Sequence, residues 1–323
     1  MYTEDGNNGK RGDGMKRARL IYNPSSGREQ VKKYLPYILE NLEKSGYEAS
    51  AHATTGKDCA TKAARTACER GFDLIIAAGG DGTINEVVQG MVNQEHRPAL
   101  GILPGGTTND FARALNLPKT IPGACKVIVE GRRVTSDVGQ VGDASFINIA
   151  AGGTLTELTY EVPSRLKTMI GQLAYYVKGF EKLPRIKPVD VTIHYDGEVF
   201  EGEIMLFLVA NTNSVGGFEK LAPNATINDG KFDMLILKKT NLADAVRVVT
   251  AALRGEHISD DRVIYTQASE ILIEPKEEML LNLDGEYGGK LPSRFVNLKG
   301  HIDLMLPNEH LACLGEKNPL EDD

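Results

Sequence analysis

The sequence predicts two parts: an α/β first half, a parallel sheet with helices on both faces, and a β-rich, sandwich-like second half. Three observations carry this. Residues 16–137 alternate short apolar runs with helix-like segments, the rhythm of a parallel sheet. Three of those apolar runs end in loops rich in Gly, Ser and Thr that open toward a helix. From about Asp137 the rhythm stops, and strand-like runs follow one another.

Taken in order, Arg17–Tyr22 is strand-like and ends in Asn23-Pro24-Ser25-Ser26-Gly27. Val31–Lys44 is amphipathic and stops near Gly46. Tyr47–Ala53 is a short strand that ends at Thr54, and the Ala-rich Cys59–Arg70 stops at Gly71. Asp73–Ala78 runs through Gly79-Gly80-Asp81-Gly82-Thr83 into Ile84-Asn85-Glu86-Val87-Val88. Ala99–Ile102 leads into Leu103-Pro104-Gly105-Gly106-Thr107-Thr108-Asn109-Asp110-Phe111-Ala112. In the second half Val138–Ala151, Val189–Tyr195, Val199–Asn211, Phe232–Leu237, Val263–Glu274, Met279–Leu283 and Phe295–Leu306 read as strands. Ser164–Leu183, Leu242–Arg254 and Pro307–Leu314 read as helices. Residues 1–14, rich in Gly, Asn and charge without period, read as an extension or a disordered tail ahead of Met15.

Bulk properties narrow the function. A net charge of −7 over 323 residues argues against a nucleic-acid binder. No stretch approaches the roughly 18 apolar residues of a membrane span, and the N-terminus lacks the apolar core of a signal peptide. Cysteines 59, 68, 125 and 313 have neither zinc-finger nor redox spacing, so reduced thiols in a cytoplasm are expected. The six histidines are scattered and read as surface or packing residues.

The chemistry is in the loops. Glycines at 79, 80 and 82 let backbone approach a bulky anion, and a helix start favours negative charge. Asp81 is odd there, because a carboxylate repels phosphate unless a divalent cation or a proton transfer intervenes. There is no lysine in these loops and no Walker A spacing, which disfavours a P-loop ATPase. Two Asp-Gly-Glu tripeptides, Asp196–Glu198 and Asp284–Glu286, each lie between strands, and either reads equally well as a hairpin turn. Ile227–Asp233 is acidic and glycine-centred, compatible with magnesium or with a solvated turn. Six Lys or Arg against one Glu lie between Pro163 and Pro188. There Leu166, Ile170, Leu173, Val177 and Phe180 repeat at helical spacing, with Lys167, Lys178 and Lys182 on another face. That segment suits a membrane-docking helix or a core helix with a solvated face.

The Asn-Pro-x-Ser-Gly, Gly-Gly-Asp-Gly-Thr and Gly-Thr-x-Asn-Asp-Phe-Ala elements and the late Leu283-Asp284-Gly285-Glu286 resemble the soluble diacylglycerol kinases of Gram-positive bacteria. These belong to the lipid kinase superfamily that includes sphingosine and ceramide kinases. Gly-Gly-Asp-Gly-Thr alone also occurs in NAD kinases and phosphofructokinases. The resemblance runs from about Met15 to about Leu314 and implies a first half like that of those two enzymes. It implies nucleotide binding by residues 15–137 plus 307–323, the last segment folding back onto the first half, and a lipid-substrate sandwich at 138–306. The implied reaction is transfer from ATP, with Mg2+, to diacylglycerol, giving phosphatidic acid at the cytoplasmic membrane face in phospholipid metabolism. Implied nucleotide contacts are Asn23, Pro24, Ser25, Ser26, Gly27, Thr54, Gly79, Gly80, Asp81, Gly82, Thr83, Ile84, Asn85 and Thr107. Glu286 is implied as proton acceptor, with Asp284 and Asp81 as further catalytic residues. Implied magnesium ligands are the Asp229 side chain and the carbonyls of Thr226 and Lys231, with waters leading to Asp137, Asp110 and Asp81. Arg28, Lys167, Lys178 and Lys182 are the expected contacts to an anionic membrane surface. The rival readings are a kinase for another neutral lipid, an NAD kinase and a catalytically inactive lipid-binding regulator. The oligomeric state stays open, a homodimer included.

Overall fold

The computed structural model describes residues 15–153, 187–214, 220–309 and 314–315. Four parallel strands build the first half: β1 (Lys16–Tyr22), β2 (Tyr47–Ala53), β3 (Leu74–Gly79) and β4 (Ala99–Pro104), in the order β2-β1-β3-β4. Alternation along each strand sends side chains to two faces. Ile21, Ile75, Ala77, Leu100 and Ile102 enter a core closed by α2 (Cys59–Glu69), α3 (Asp81–Met91) and α4 (Asp110–Ala114). Leu20, Ile76, Ala78 and Leu103 enter the opposite core, closed by α1 (Gln30–Lys44) and α5 (Ile121–Glu130). Burial on both faces is why β3 and β4 read as continuous apolar runs.

The second half is antiparallel: β5 (Arg132–Val141), β6 (Ala144–Phe146), β7 (Ile149–Gly152), β8 (Val189–Tyr195), β9 (Glu198–Ala210), β10 (Phe232–Lys238), β11 (Val263–Ala268), β12 (Glu270–Pro275), β13 (Leu280–Leu283), β14 (Glu286–Lys290) and β15 (Ser293–Leu306). Its interior holds Phe146, Phe207, Phe232 and Phe295, with Phe146 stacked on Phe232 at 5.5 Å. A smaller cluster on the outer side of β7, β9 and β10 includes Val248 of α6 (Leu242–Ala252).

Two long strands cross between the halves. β15 pairs with β5 along its length, with a register shift between Leu298 and Ile302. Phe295 lies in the second core, whereas Ile302, Leu304 and Leu306 lie in the first. Leu304 also pairs in parallel with Leu100 of β4, so the fifteen strands of the described residues form one connected sheet.

Two expected strands are divided. Val138–Ala151 is the end of β5 followed by β6 and β7, because Gly142, at φ +56°, turns the chain after Val141. Val263–Glu274 is β11 and β12, which take different neighbours: β11 pairs with β10, while β12 pairs with β8 and β15. The break is at Ser269, whose N–H and hydroxyl both donate to Asp196. The expected helix Ser164–Leu183 lies outside the described residues, as does most of Pro307–Leu314, although Leu314 packs on the first core. Among the described residues no helix is long and apolar enough to cross a membrane.

Candidate active site

Three loops meet at the carboxyl end of the parallel sheet, where ligands bind in open α/β folds. The N–H of Asn23 donates to the carbonyl of Ala78 (3.0 Å), and that of Gly105 to the carbonyl of Gly79 (2.7 Å). The Ser26 hydroxyl donates to the Gly105 carbonyl at 2.6 Å. Gly27 sits at φ +56°, and a Cβ there would stand 2.5 Å from the Gly105 oxygen, so no larger residue fits. Gly80 and Gly106 touch backbone to backbone in the same way. Asn109 fastens the third loop: its Oδ1 accepts from the Gly106 N–H (2.8 Å) and its Nδ2 donates to the Gly106 carbonyl (3.0 Å). Thr54 donates its N–H to the Tyr22 carbonyl at 2.9 Å, which brings the end of β2 beside the first loop. Ser25 and Thr107 are exposed at the mouth. α3 begins at Asp81, so its positive end points into this space.

Asp81 has a specific place. Its carboxylate accepts from the Phe111 N–H at 3.4 Å, with the amides of Asn109 and Asp110 also turned toward it. Burial pushes its pKa up against those backbone donors. It therefore caps α4, the helix that Asp110 opens.

The second half supplies two carboxylates. Asp284 (φ +50°) and Gly285 (φ +92°) turn the chain between β13 and β14, the signs of a tight hairpin. Glu286 follows, exposed, with Oε1 4.0 Å from where a Cβ on Gly82 would stand. It thus reaches the first turn of α3. Asp284 is engaged on all sides. Its Oδ2 accepts from Asn85 Nδ2 and the Ile147 N–H, both at 2.8 Å. Its Oδ1 accepts from the N–H groups of Asn148 (3.0 Å) and Ile149 (2.8 Å). Burial raises its pKa, while the donors from Ile147, Ile149, Asn85 and Asn148 act the other way. Gln89 adds a second tie between the halves, accepting from the N–H (2.8 Å) and hydroxyl (2.7 Å) of Ser145. The other tripeptide makes the same turn, with Asp196 at φ +43° and Gly197 at φ +91°. Its carboxylate accepts from Ser269 and Glu270 of its own half.

A second cluster lies where β5 passes between the cores. Buried Asp137 accepts from the N–H groups of Gly230 (2.6 Å) and Gly300 (2.7 Å), and its own N–H donates to the Ile227 carbonyl (2.6 Å). Burial pushes the Asp137 carboxyl up, the two glycine amides oppose this, and the nearby Asp229 adds to it. Asp229 itself accepts from the Lys231 N–H at 2.9 Å. Thr226 Oγ1 and Asn211 Oδ1 are buried oxygens with no hydrogen-bond partner among the described residues. An oxygen-rich junction with unsatisfied acceptors fits a hard cation such as magnesium. Among the described residues no group of three or more His, Cys, Asp or Glu could hold a metal, so carbonyls would have to supply part of any shell. Asn211 Nδ2 donates to the carbonyls of Asp137 (2.9 Å) and Ile147 (3.2 Å), which joins this cluster to Asp284.

The loops, Asp81, Asn85, Asp284 and Glu286 thus form one group, and Asp137, Thr226, Asp229 and Lys231 another. Arg28 lies in the short turn Ser26–Glu29 after the first loop. Lys167, Lys178 and Lys182 lie outside the described residues. Gln89 and Asn211 stand outside every sequence motif, whereas Asn109 belongs to the Gly-Thr-x-Asn-Asp-Phe-Ala element. The strand and glycine pair before Asn109 mark it, whereas nothing local marks Gln89 or Asn211.

Residues 17–141 match the family described as diacylglycerol kinase catalytic domain. Residues 156–306 match the YegS C-terminal NAD kinase beta sandwich-like domain. The chain is 60% identical over 303 residues to the diacylglycerol kinase of Bacillus subtilis (strain 168), covering 94% of this chain and all (100%) of that protein. It is 53% identical over 292 residues to the diacylglycerol kinase of Staphylococcus haemolyticus (strain JCSC1435), covering 90% and 88%. The crystal structure of a diacylglycerol kinase from Bacillus anthracis str. Sterne superposes with a TM-score of 0.78 at 29% identity, covering 90% of this chain and 97% of that one.

Proposed function

The chain belongs to the diacylglycerol kinase family, and from that premise we propose that it transfers the γ-phosphate of ATP to the free hydroxyl of diacylglycerol, forming phosphatidic acid. The observation that carries the reading is the reach of Glu286 to Gly82, a carboxylate of one half beside the start of α3 in the other, the helix to which this reading gives the phosphates. Glu286 takes the proton of the acceptor hydroxyl as its oxygen attacks phosphorus, and ADP leaves. The amides and hydroxyls of Asn23–Gly27, Thr54, Gly79–Asn85 and Thr107 orient the phosphates. Asp284 positions Glu286 by fixing the hairpin on Asn85 and on residues 147–149. The Asp229 side chain and the carbonyls of Thr226 and Lys231 would hold magnesium, with Asp137, Asp110 and Asp81 reached through water, and the ion would supply positive charge near the phosphates. In this reading residues 15–137 with 307–323 hold the nucleotide, and 138–306 present the lipid. The protein works at the inner face of the membrane in phospholipid metabolism, with the basic segment around Lys167, Lys178 and Lys182, and Arg28, meeting anionic lipid. Purified protein with ATP and magnesium should label diacylglycerol in mixed micelles and leave NAD unlabelled. Label on NAD alone would overturn the reading.

A further inference from the structure

On the α2 face of the sheet, remote in sequence from Asp284 and Glu286, lies a cavity of about 360 Å3. Its origin is in the sequence. β2 is the edge strand, and α2 turns Cys59, Lys62 and Thr66 toward it at helical spacing, with Arg70 following at the end of the helix. The strand answers with His52 alone, so the gap stays open. Ala63, Ala67 and Phe72 give it an apolar floor, while Arg19, Lys62 and Arg70 bring three cations.

Those cations are unbalanced. No Asp or Glu lines the cavity, and none of the three forms an ion pair among the described residues. Arg19 is half-buried, and burial and the neighbouring Arg70 both act against its charge. In a chain of net charge −7, three cations gathered without a carboxylate around a concave surface complement an anion. Two guanidinium forks and an ammonium suit a dianion with several acceptor oxygens better than a single carboxylate.

We propose that this cavity binds a phosphate monoester, its phosphate held by Arg19, Lys62 and Arg70 and a small apolar body resting on Ala63, Ala67 and Phe72. The headgroup of a lipid phosphate and a soluble phosphorylated metabolite share this chemistry.

Cys59 supplies the reporter, because it is half-buried in the cavity wall with Sγ 3.3 Å from His52 Nε2. Cys68 and Cys125 are buried, and burial pushes the Cys68 thiol up to about 11, so both alkylate slowly. The rate of iodoacetamide labelling at Cys59 is followed by peptide mass spectrometry, with saturating ATP to fill the nucleotide loops. The probes are inorganic phosphate, glycerol phosphate, and phosphatidylcholine vesicles with and without phosphatidic acid. Glycerol phosphate, or the phosphatidic acid vesicles, should slow labelling, and which of them acts identifies the source. K62Q/R70Q, both exposed positions, should raise the concentration needed by about tenfold or more, with circular dichroism unchanged. Lys62→Gln alone serves if the double variant fails to fold, and should shift the curve in the same direction. Three results would overturn the proposal: no protection by any phosphate ester, inorganic phosphate as effective as the ester, or protection undiminished in the folded variants. Labelling requires no turnover, so the outcome is independent of the kinase reading.

Discussion

Two Asp-Gly-Glu turns with the same backbone signs let the role of one carboxylate be isolated. Glu286→Gln should lower kcat by about 100-fold, the scale of a general base, whereas Glu198→Gln should leave it unchanged. Equal losses with folding intact would place the base elsewhere. Asp284→Asn tests a different role. An amide cannot accept at both ends, so N–H groups among Asn85, Ile147, Asn148 and Ile149 would face another donor. Unfolding by urea should show a loss of about 1–3 kcal/mol, the cost of stranding buried polar groups. Sequence disclosed the turn but not its partner. What distinguishes the two copies is a contact between Asn85 and Asp284, 199 residues apart, and local pattern does not carry such distances.

At the scale of elements, the βα units were legible because burial on both faces writes β3 and β4 as unbroken apolar runs. The same signal hid the breaks at Gly142 and Ser269, since a strand that changes partner keeps its alternation. Helix packing was hidden too. Gly90 of α3 lies against Thr61 and Ala64 of α2, and a Cβ there would stand 2.9 Å from that of Ala64. Gly90→Ala should destabilise the fold by about 1–3 kcal/mol through overpacking. Because α3 starts at Asp81, the KM for ATP should also rise. Calorimetry and initial rates together check this; an unshifted melting temperature would mean that α2 and α3 part easily.

At the scale of the whole molecule, the junction around Asp137 lies between the cores. Ile227 packs in the first core although its loop precedes β10 of the second, so residues 226–231 touch both halves. An ion bound there only in the folded state would raise the melting temperature. Asp229→Ala should therefore abolish a magnesium-dependent melting shift and reduce activity at fixed ATP. A misplacement of order 1 Å between the halves costs about 100-fold in rate. Normal activity with an unaltered shift would make the loop a solvated turn.

The strand β15 has a consequence for how the chain is made. Its last residues, Ile302 to Leu306, join the core of the first half, and Leu304 pairs beside Leu100. A ribosome that has released residues 15–137 has therefore produced a sheet whose β4 edge is still bare. That edge waits for roughly 165 further residues, on the order of 10 s at usual elongation rates. Until then the nascent protein carries an apolar strand with one open edge, the kind of surface that holdase chaperones bind and that seeds aggregation. Stop codons placed before Ser293 should yield insoluble, protease-sensitive product instead of a folded N-terminal fragment.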